Sequence, residues 1–355
     1  MSRIPLTIQS QSADETAVII DGRRVEQFWG EKVMLAIDTV GNGFSFSAPF
    51  YPDTKQYRDI FRPFSYHECR VYIGGKLQIN GRIEKVTPAV ASDSVSVTVQ
   101  GRSRTAAIVD CCFTSAETKE FAGADLQEIA TAVCAPFGFS VEFPDGAGAK
   151  FSRAGVRSPA TRKFEFLQRL ARQRGLLMSQ TPEGNLLFRK PNVTGKPVAE
   201  LHEGSQGLMM SGASFDGSKR FSDYEVYGQE PGRNDNYAAV NDPSIKVFRP
   251  RGINANDTNQ GNIETAARWA LSSDIANSIS ISVGYEGWLR PDGELWQENE
   301  LILLYAPSIM IYKPMPMLIK SVSFSSRKDS KTTELGLCLP AAYTGEIPEV
   351  FPWDE

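Results

Sequence analysis

Hydrophobic and polar positions alternate in long stretches at both ends of this chain and fall into helical stripes between them. The clearest alternation is 94–100, where Val95, Val97 and Val99 interleave with Ser94, Ser96 and Thr98. A period of two gives one buried and one polar face, which predicts a strand. Shorter runs at 18–20, 33–40, 44–46 and 82–86 read as further strands. Between 71–73 and 76–79, Gly74 and Gly75 supply the positive φ of a tight turn, so a hairpin is predicted there. Towards the other end, Ile279, Ile281, Val283 and Tyr285 alternate with serine and glycine. Strands at 301–305, 317–325 and 332–339 follow, with a turn at 291–293 and a polar hairpin tip at 327–330.

The middle of the chain changes period. Asp125 precedes Leu126, Ile129, Ala130, Val133 and Cys134, a one-face helical stripe, and Glu128 stands where a capping-box partner belongs. Pro136 and Gly138 stop that helix. A second helix is expected over 162–174, with Phe166, Leu167, Leu170 and Ala171 inward and Gly175 as C-cap. A hairpin at 176–188 follows. Beyond it, 222–227 reads as a strand, 231–262 as a Gly/Asn/Pro-rich loop or insertion, and 263–271 as a third helix. The aromatic-rich 48–63 reads as a long loop, either an interface or locally packed. The tail 341–355 is expected to be extended, and either disordered or docked on a neighbour.

These elements imply an α+β fold, mainly β: two related β-barrel-like domains with an inserted α/β domain. The expected division is 1–105 for the first β domain and 106–205 for the α/β domain. The second β domain takes 206–230 and 278–340, with a loop-plus-helix insertion at 231–277 and the tail at 341–355.

Composition narrows the function classes. With 41% hydrophobic and 23% charged residues, the chain has an ordinary globular make-up. A net charge of −4 argues against gripping nucleic acid by its phosphates, though not against surrounding it. No apolar run approaches the length of a membrane span, and the first residues lack a signal pattern, so assembly in a cytoplasm without a membrane anchor is expected. Cys69, Cys111, Cys112, Cys134 and Cys338 fit no metal or redox spacing and are expected to be buried free thiols.

Candidate chemistry is sparse. His67 and His202 have no partner at a metal-ligand spacing, and no GxSxG elbow occurs. Asp292 and Glu294 flank Gly293 and could suggest the paired carboxylates of a glycosidase, but they occupy a turn where aspartate serves backbone geometry. Arg162, Lys163, Arg169, Arg172 and Arg174 make a basic helix, expected to be a solvated face whose arginine stems cover apolar surface; contact with an acidic partner is the alternative. Trp288 and Trp296 bracket the 291–293 turn and are expected to stack across it. No catalytic, cofactor-binding or metal residue is assigned, and no cofactor is expected.

Several segments resemble phage tail hub proteins and the spike proteins of type VI secretion. In KFEFLQRLARQRGLLMSQTPEGNLLF, 163–188, the positions Phe164, Phe166, Leu167, Leu170, Ala171 and Gly175 match a helix that ends at glycine and leads into a hairpin. VTVQGRSRTAAIVDCC, 97–112, looks like the end of a first tube domain, at Gly101 and Arg102. DLQEIATAVCAPFGFSVEF, 125–143, resembles the next helix and strand; RFSDYEVYGQ, 220–229, the return into a second tube domain. GWLRPDGELWQENELILL, 287–304, and 317–339 resemble that domain's end. The order of these segments is most similar to baseplate hub proteins of Mu-like contractile phages.

The resemblance implies a structural role without catalysis. It implies a homotrimeric ring in which six tube domains imitate a sixfold tail tube, bound to a trimeric central spike, the tail tube and other baseplate proteins. DNA would pass through the channel without specific binding, and the protein would reside in the virion. The chain shows no long needle or lysozyme-like region, so a separate spike partner is expected. A tail-associated peptidoglycan hydrolase and the core of a type VI spike are the alternatives.

Overall fold

The computed structural model describes residues 12–117, 120–151, 154–155, 159–228, 237–255, 263–327, 330–343 and 351–354. The chain divides into two compact units. The first comprises the chain through Arg189 together with Glu286–Trp296 and Val322–Thr333; the second comprises Lys190–Tyr285, Gln297–Ser321 and the chain from Glu334 onward.

In the first unit, an antiparallel sheet runs in the order Trp29–Ala36, Gly43–Pro49, Val95–Ser103, Lys76–Val90, Glu68–Ile73, Thr16–Ile20 and Arg23–Arg24. Alternation decides which face is inside: Phe46, Ala48, Val71, Ile73, Val97 and Val99 are buried. The Gly74–Gly75 turn joins its two strands as expected, with φ of 56° and 75°. The stretch 48–63 is not wholly a loop, because it carries the helix Lys55–Ile60. That helix buries none of its own residues, so no apolar stripe announces it. Tyr51 packs edge-on to Tyr57 and Phe50 edge-on to Phe61, which is local packing.

The α/β part of this unit has its own core. Leu126, Ile129, Ala130 and Val133 of the helix Leu126–Cys134 join Phe166, Leu167 and Leu170 of the helix Lys163–Arg172. The capping box forms fully: Glu128 N donates to Asp125 Oδ1 and Asp125 N to Glu128 Oε2, each at 2.9 Å. Gly138 and Gly175 have φ of 69° and 64°, the left-handed values that end a helix. The hairpin Leu177–Gln180 and Leu186–Arg189 then adds Met178, Leu186 and Phe188 to the same core.

The remaining strands of the large sheet, drawn mostly from the second unit but with Val322–Thr333 in the first, run in the order Leu208–Phe215, Ile279–Glu286, Ser330–Cys338, Ile311–Arg327 and Leu301–Ala306, and Ala199–His202 pairs parallel to the last of these. The sequence reading of 231–262 as a loop needs correction for its described part. Tyr237–Asn241 and Pro250–Ala255 are strands flanking Asp223–Gly228 in a small mixed sheet. Tyr237 is exposed while Arg251 is partly buried, so apolar and polar positions do not sort by face and the strands are not legible in the sequence. The helix Ile263–Ser278 closes one face of this sheet through Leu271 and Ile275, which pack with Tyr224.

All these strands belong to one large sheet, and within it two sets of five follow one plan. Leave aside Thr16–Ile20, Arg23–Arg24 and Ala199–His202, and number the first set as its strands occur: Trp29–Ala36, Gly43–Pro49, Glu68–Ile73, Lys76–Val90, Val95–Ser103. Their spatial order is first, second, fifth, fourth, third. The strands Leu208–Phe215, Ile279–Glu286, Leu301–Ala306, Ile311–Arg327 and Ser330–Cys338 have the same spatial order. Each set ends in one long hairpin, with strands of 15 and 9 residues in the first and 17 and 9 in the second. The fold is therefore α+β and mainly β, as the sequence implies.

Two expectations are corrected. Cys69, Cys134 and Cys338 are buried, but Cys111 and Cys112 are exposed, because the chain leaves the helix Ala106–Asp110 there on the surface. The described end of the tail is docked on its own unit: the Phe351 and Trp353 rings stack at 4.9 Å, Trp353 meets Phe215 edge-on at 5.1 Å, and Tyr312 N donates to Pro352 O.

Candidate functional site

Most polar residues singled out from the sequence are engaged in holding structure. His67 is clamped at both ring nitrogens, Nδ1 at 2.5 Å from Asp21 Oδ2 and Nε2 at 2.9 Å from Asp59 O. Asp21 also accepts from Glu68 N at 3.0 Å, so this histidine ties a turn, a strand and the end of a helix together. His202 contacts only the neighbouring Glu203 carbonyl through Nδ1, at 3.1 Å. Among the described residues no group of three or more His, Cys, Asp or Glu is placed to hold a metal ion.

Asp292 and Glu294 serve different bonds. Asp292 Oδ1 accepts from Glu294 N at 3.1 Å and from Arg290 Nε at 3.1 Å, while Glu294 Oε2 receives Lys76 Nζ at 2.5 Å. The Glu294 amide, followed by Arg290, holds the Asp292 carboxyl below its ordinary value. A general acid needs the opposite shift.

The cations of the basic helix divide: Arg162 and Arg172 are exposed, as expected of a solvated face, and the other three are engaged. Lys163 is buried: its ammonium donates to Glu117 and lies 5.1 Å and 5.3 Å from the Phe113 and Phe137 ring centres. This differs from the solvated lysine expected, because Phe113 and Phe137 enclose the stem while Glu117 supplies the charge. Arg174 Nε donates to Ala149 O at 3.0 Å, and its guanidinium covers Phe151 at 3.9 Å. Arg169 reaches the Gly155 carbonyl over the Phe166 ring. The stems of Arg169 and Arg174 thus cover apolar surface as expected.

Trp288 and Trp296 are buried. Trp288 donates from Nε1 to Ser325 O at 3.1 Å, sits edge-on to Phe324 at 6.1 Å, and carries Lys331 over its face at 5.0 Å. Trp288 anchors the far end of the second long hairpin within the first unit.

Where the first sheet passes into the α/β part, the polar contacts are dense. Arg102 grips Glu84 through Nε and Nη2, at 2.6 Å and 3.0 Å, and Asp110 through Nη1 and Nη2. The Asp110 and Glu84 carboxylates raise its guanidinium above the usual range. Buried Thr105 donates from Oγ1 to Val40 O at 2.5 Å and lies 3.1 Å from Gln180 Oε1, which also accepts from Asn42 N, so the hairpin of the α/β part is held on the sheet.

What the molecule exposes is apolar surface. Phe64 is 86% exposed, and both Phe64 and Tyr66 hold positive φ, at 61° and 51°. Bulky residues rarely adopt such values, and the strain persists because His67 and the helix end fix this loop. Met209 and Met210 stand exposed on the strand Leu208–Phe215, Val90 at the end of Lys76–Val90, and Val247 and Phe248 in the small-sheet insertion. Sequence reasoning found the 48–63 aromatics but missed these; "LMMSGASF", an apolar run with no charge, was the available signal. Exposed apolar side chains of this kind suit contact between macromolecules.

Comparison with known proteins agrees. Residues 105–190 match the family model of the second domain of baseplate hub protein gp44-like proteins. The chain is 26% identical over 320 residues to baseplate hub protein gp44 of Escherichia phage Mu, covering 85% of this chain and 82% of that one. The 43 kDa tail protein of prophage MuSo2 from Shewanella oneidensis has the same fold, with TM-score 0.80 and 24% identity, over 94% of this chain and all of that one. A tail protein from Neisseria meningitidis is similar at TM-score 0.80 and 19% identity, over 92% of this chain and 98% of that one. The resemblance to Mu-like hub proteins carried by the sequence motifs is borne out.

Proposed function

We propose that this chain is the structural baseplate hub of a contractile phage tail, acting as a homotrimeric ring. Three copies present six tube domains to a sixfold tail tube on one side and a trimeric central spike on the other. The ring encloses the channel through which DNA leaves, and the protein resides in the virion after assembly in the host cytoplasm. The observation that carries this reading is the repeated strand order, first, second, fifth, fourth, third, in two five-strand sets of one chain. A chain with two like sets makes two quasi-equivalent contacts per subunit, so threefold closure produces a sixfold rim. Its similarity to a protein named as a baseplate hub supports the same role.

The division proposed is a first tube domain over 1–105, the α/β domain at 106–205, a second tube domain from 206–230 and 278–340, and the insertion at 231–277. The hub works by geometry: it closes a ring, burying apolar area as obligate oligomers do, and needs no catalytic group. A net charge of −4 fits a channel that does not grip phosphate. The test is imaging of the purified protein with light scattering. A threefold ring of three chains with a sixfold rim is expected. A strictly single-chain species at high concentration that never associates with a trimeric spike overturns the reading.

A further inference from the structure

The two long hairpins have the same place in their sets but opposite surroundings. The far half of the second is covered: Val322 and Phe324 are buried, Trp288 packs on Phe324 and bonds to Ser325, and Lys331 reaches Asp14 at 2.8 Å. These partners and the segment Val322–Thr333 belong to the first unit, although the hairpin begins in the second. Among the described residues, the far half of the first hairpin has no such cover. Glu84, Lys85, Thr87, Pro88, Ala89 and Val90 are exposed, with Val90 80% open. Its outer edge is also free there, because the last register pair with Glu68–Ile73 is at Arg82 and the last bond from that side is Ile83 N to His67 O.

A matching free edge stands at the end of the second set. Among the described residues, Leu208–Phe215 pairs on one side only, with Ile279–Glu286. Its eight residues carry no charge and no proline, and Met209 and Met210 are 59% and 66% exposed. Proteins ordinarily blunt an open edge with charge, proline or a bulge. The bulge here lies only at the strand's start, between Leu208 and Met210.

We propose that the far half of the Lys76–Val90 strand of one copy adds to the Leu208–Phe215 edge of the next copy. This rests on the trimeric reading above and names the surface that closes the ring. The occupant is a second copy of this chain because the equivalent hairpin is already accommodated within the chain: the second hairpin ends in the first unit, and the first must end in another chain's second unit. The contact is head-to-tail, so each copy donates one hairpin and accepts one, which is how a ring closes. Pro88 removes one donor from the added strand, so Val90 against Met209 and Met210 supplies packing beside an incomplete ladder.

The test uses two surface variants of the full chain, Ala89→Lys with Val90→Lys, and Met209→Lys with Met210→Lys. All four side chains are exposed, so far-UV circular dichroism stays unchanged. The wild type is expected to scatter light with the mass of three chains, and each variant with the mass of one. In a Cys111→Ser, Cys112→Ser background, Val90→Cys and Met210→Cys chains mixed with a short bis-maleimide are expected to cross-link to each other, and neither to itself. Variants that keep the three-chain mass, or self-linking of either cysteine chain, overturn the junction but leave the trimer standing. A wild type that never exceeds one chain overturns both.

Discussion

Phe44 lies directly across the sheet from Gly101, and its ring covers that glycine: a Cβ there would stand 2.3 Å from Phe44 Cζ and 2.3 Å from Arg82 O. Gly81 is equally tight against Arg102 O. The glycines let the ring lie flat where the sheet turns into the α/β part, just before Arg102 bridges Glu84 and Asp110.

Gly101→Ala is therefore expected to be costly, by about 2–3 kcal/mol, since both the ring and a strand carbonyl must move. Phe44→Leu should recover part of that loss when the two are combined. Denaturant melts of the single and double variants check it; additive losses would show that the ring is not the obstacle.

The Lys163–Glu117 pair predicts an asymmetry. Lys163 is almost wholly buried, whereas a third of the Glu117 side chain is open to water. Glu117→Gln leaves an ammonium among phenyl rings and is expected to cost about 3 kcal/mol. Lys163→Met leaves a carboxylate that still accepts from Thr114 N and Oγ1, and should cost less than half as much. The Lys163 ammonium, then the Thr114 amide, lowers Glu117 from its ordinary 4.5 to about 2. A depressed folded value means that the stabilisation is complete above about pH 4.5 and fades as pH falls towards 2. Acid titration of the wild type and Glu117→Gln should show that slope only in the former.

The cap of the helix Leu126–Cys134 was fully legible, because Asp125 and Glu128 satisfy each other within four residues of sequence. Asp125→Ala is expected to lower stability by about 1 kcal/mol, and Asp125→Ser by little, as measured by chemical denaturation.

Local rules explain what else could be read. Val95, Val97 and Val99 alternate, and Gly175 ends its helix, because each depends on neighbours a few residues away. Lys163 could not be read as buried: its anion is 46 positions away, and in sequence it heads an ordinary basic helix. Tyr237–Asn241 and Pro250–Ala255 are strands because Asp223–Gly228 pairs with both, a fact of tertiary pairing that overrides their turn-rich composition. The exposed edge at Met209 and Met210 was hidden for a similar reason, since strand order decides which strand is last.

The aromatic end of the chain should stiffen the second unit. Arg220 lies 5.3 Å over Phe351, which packs with Tyr224, Leu271 and Ile275. Trp353→Ala is expected to cost about 1–2 kcal/mol. Hydrogen exchange should quicken in Ile263–Ser278 and leave Leu126–Cys134 unchanged.

The thiols separate into two populations. Burial pushes Cys134 up to about 12 and Cys69 higher still, so those sulfurs stay as unreactive thiols. Cys111 and Cys112 sit side by side on the surface. A fluorophore carried by maleimide will therefore report from one spot, the seam where the α/β part begins, in an otherwise native particle.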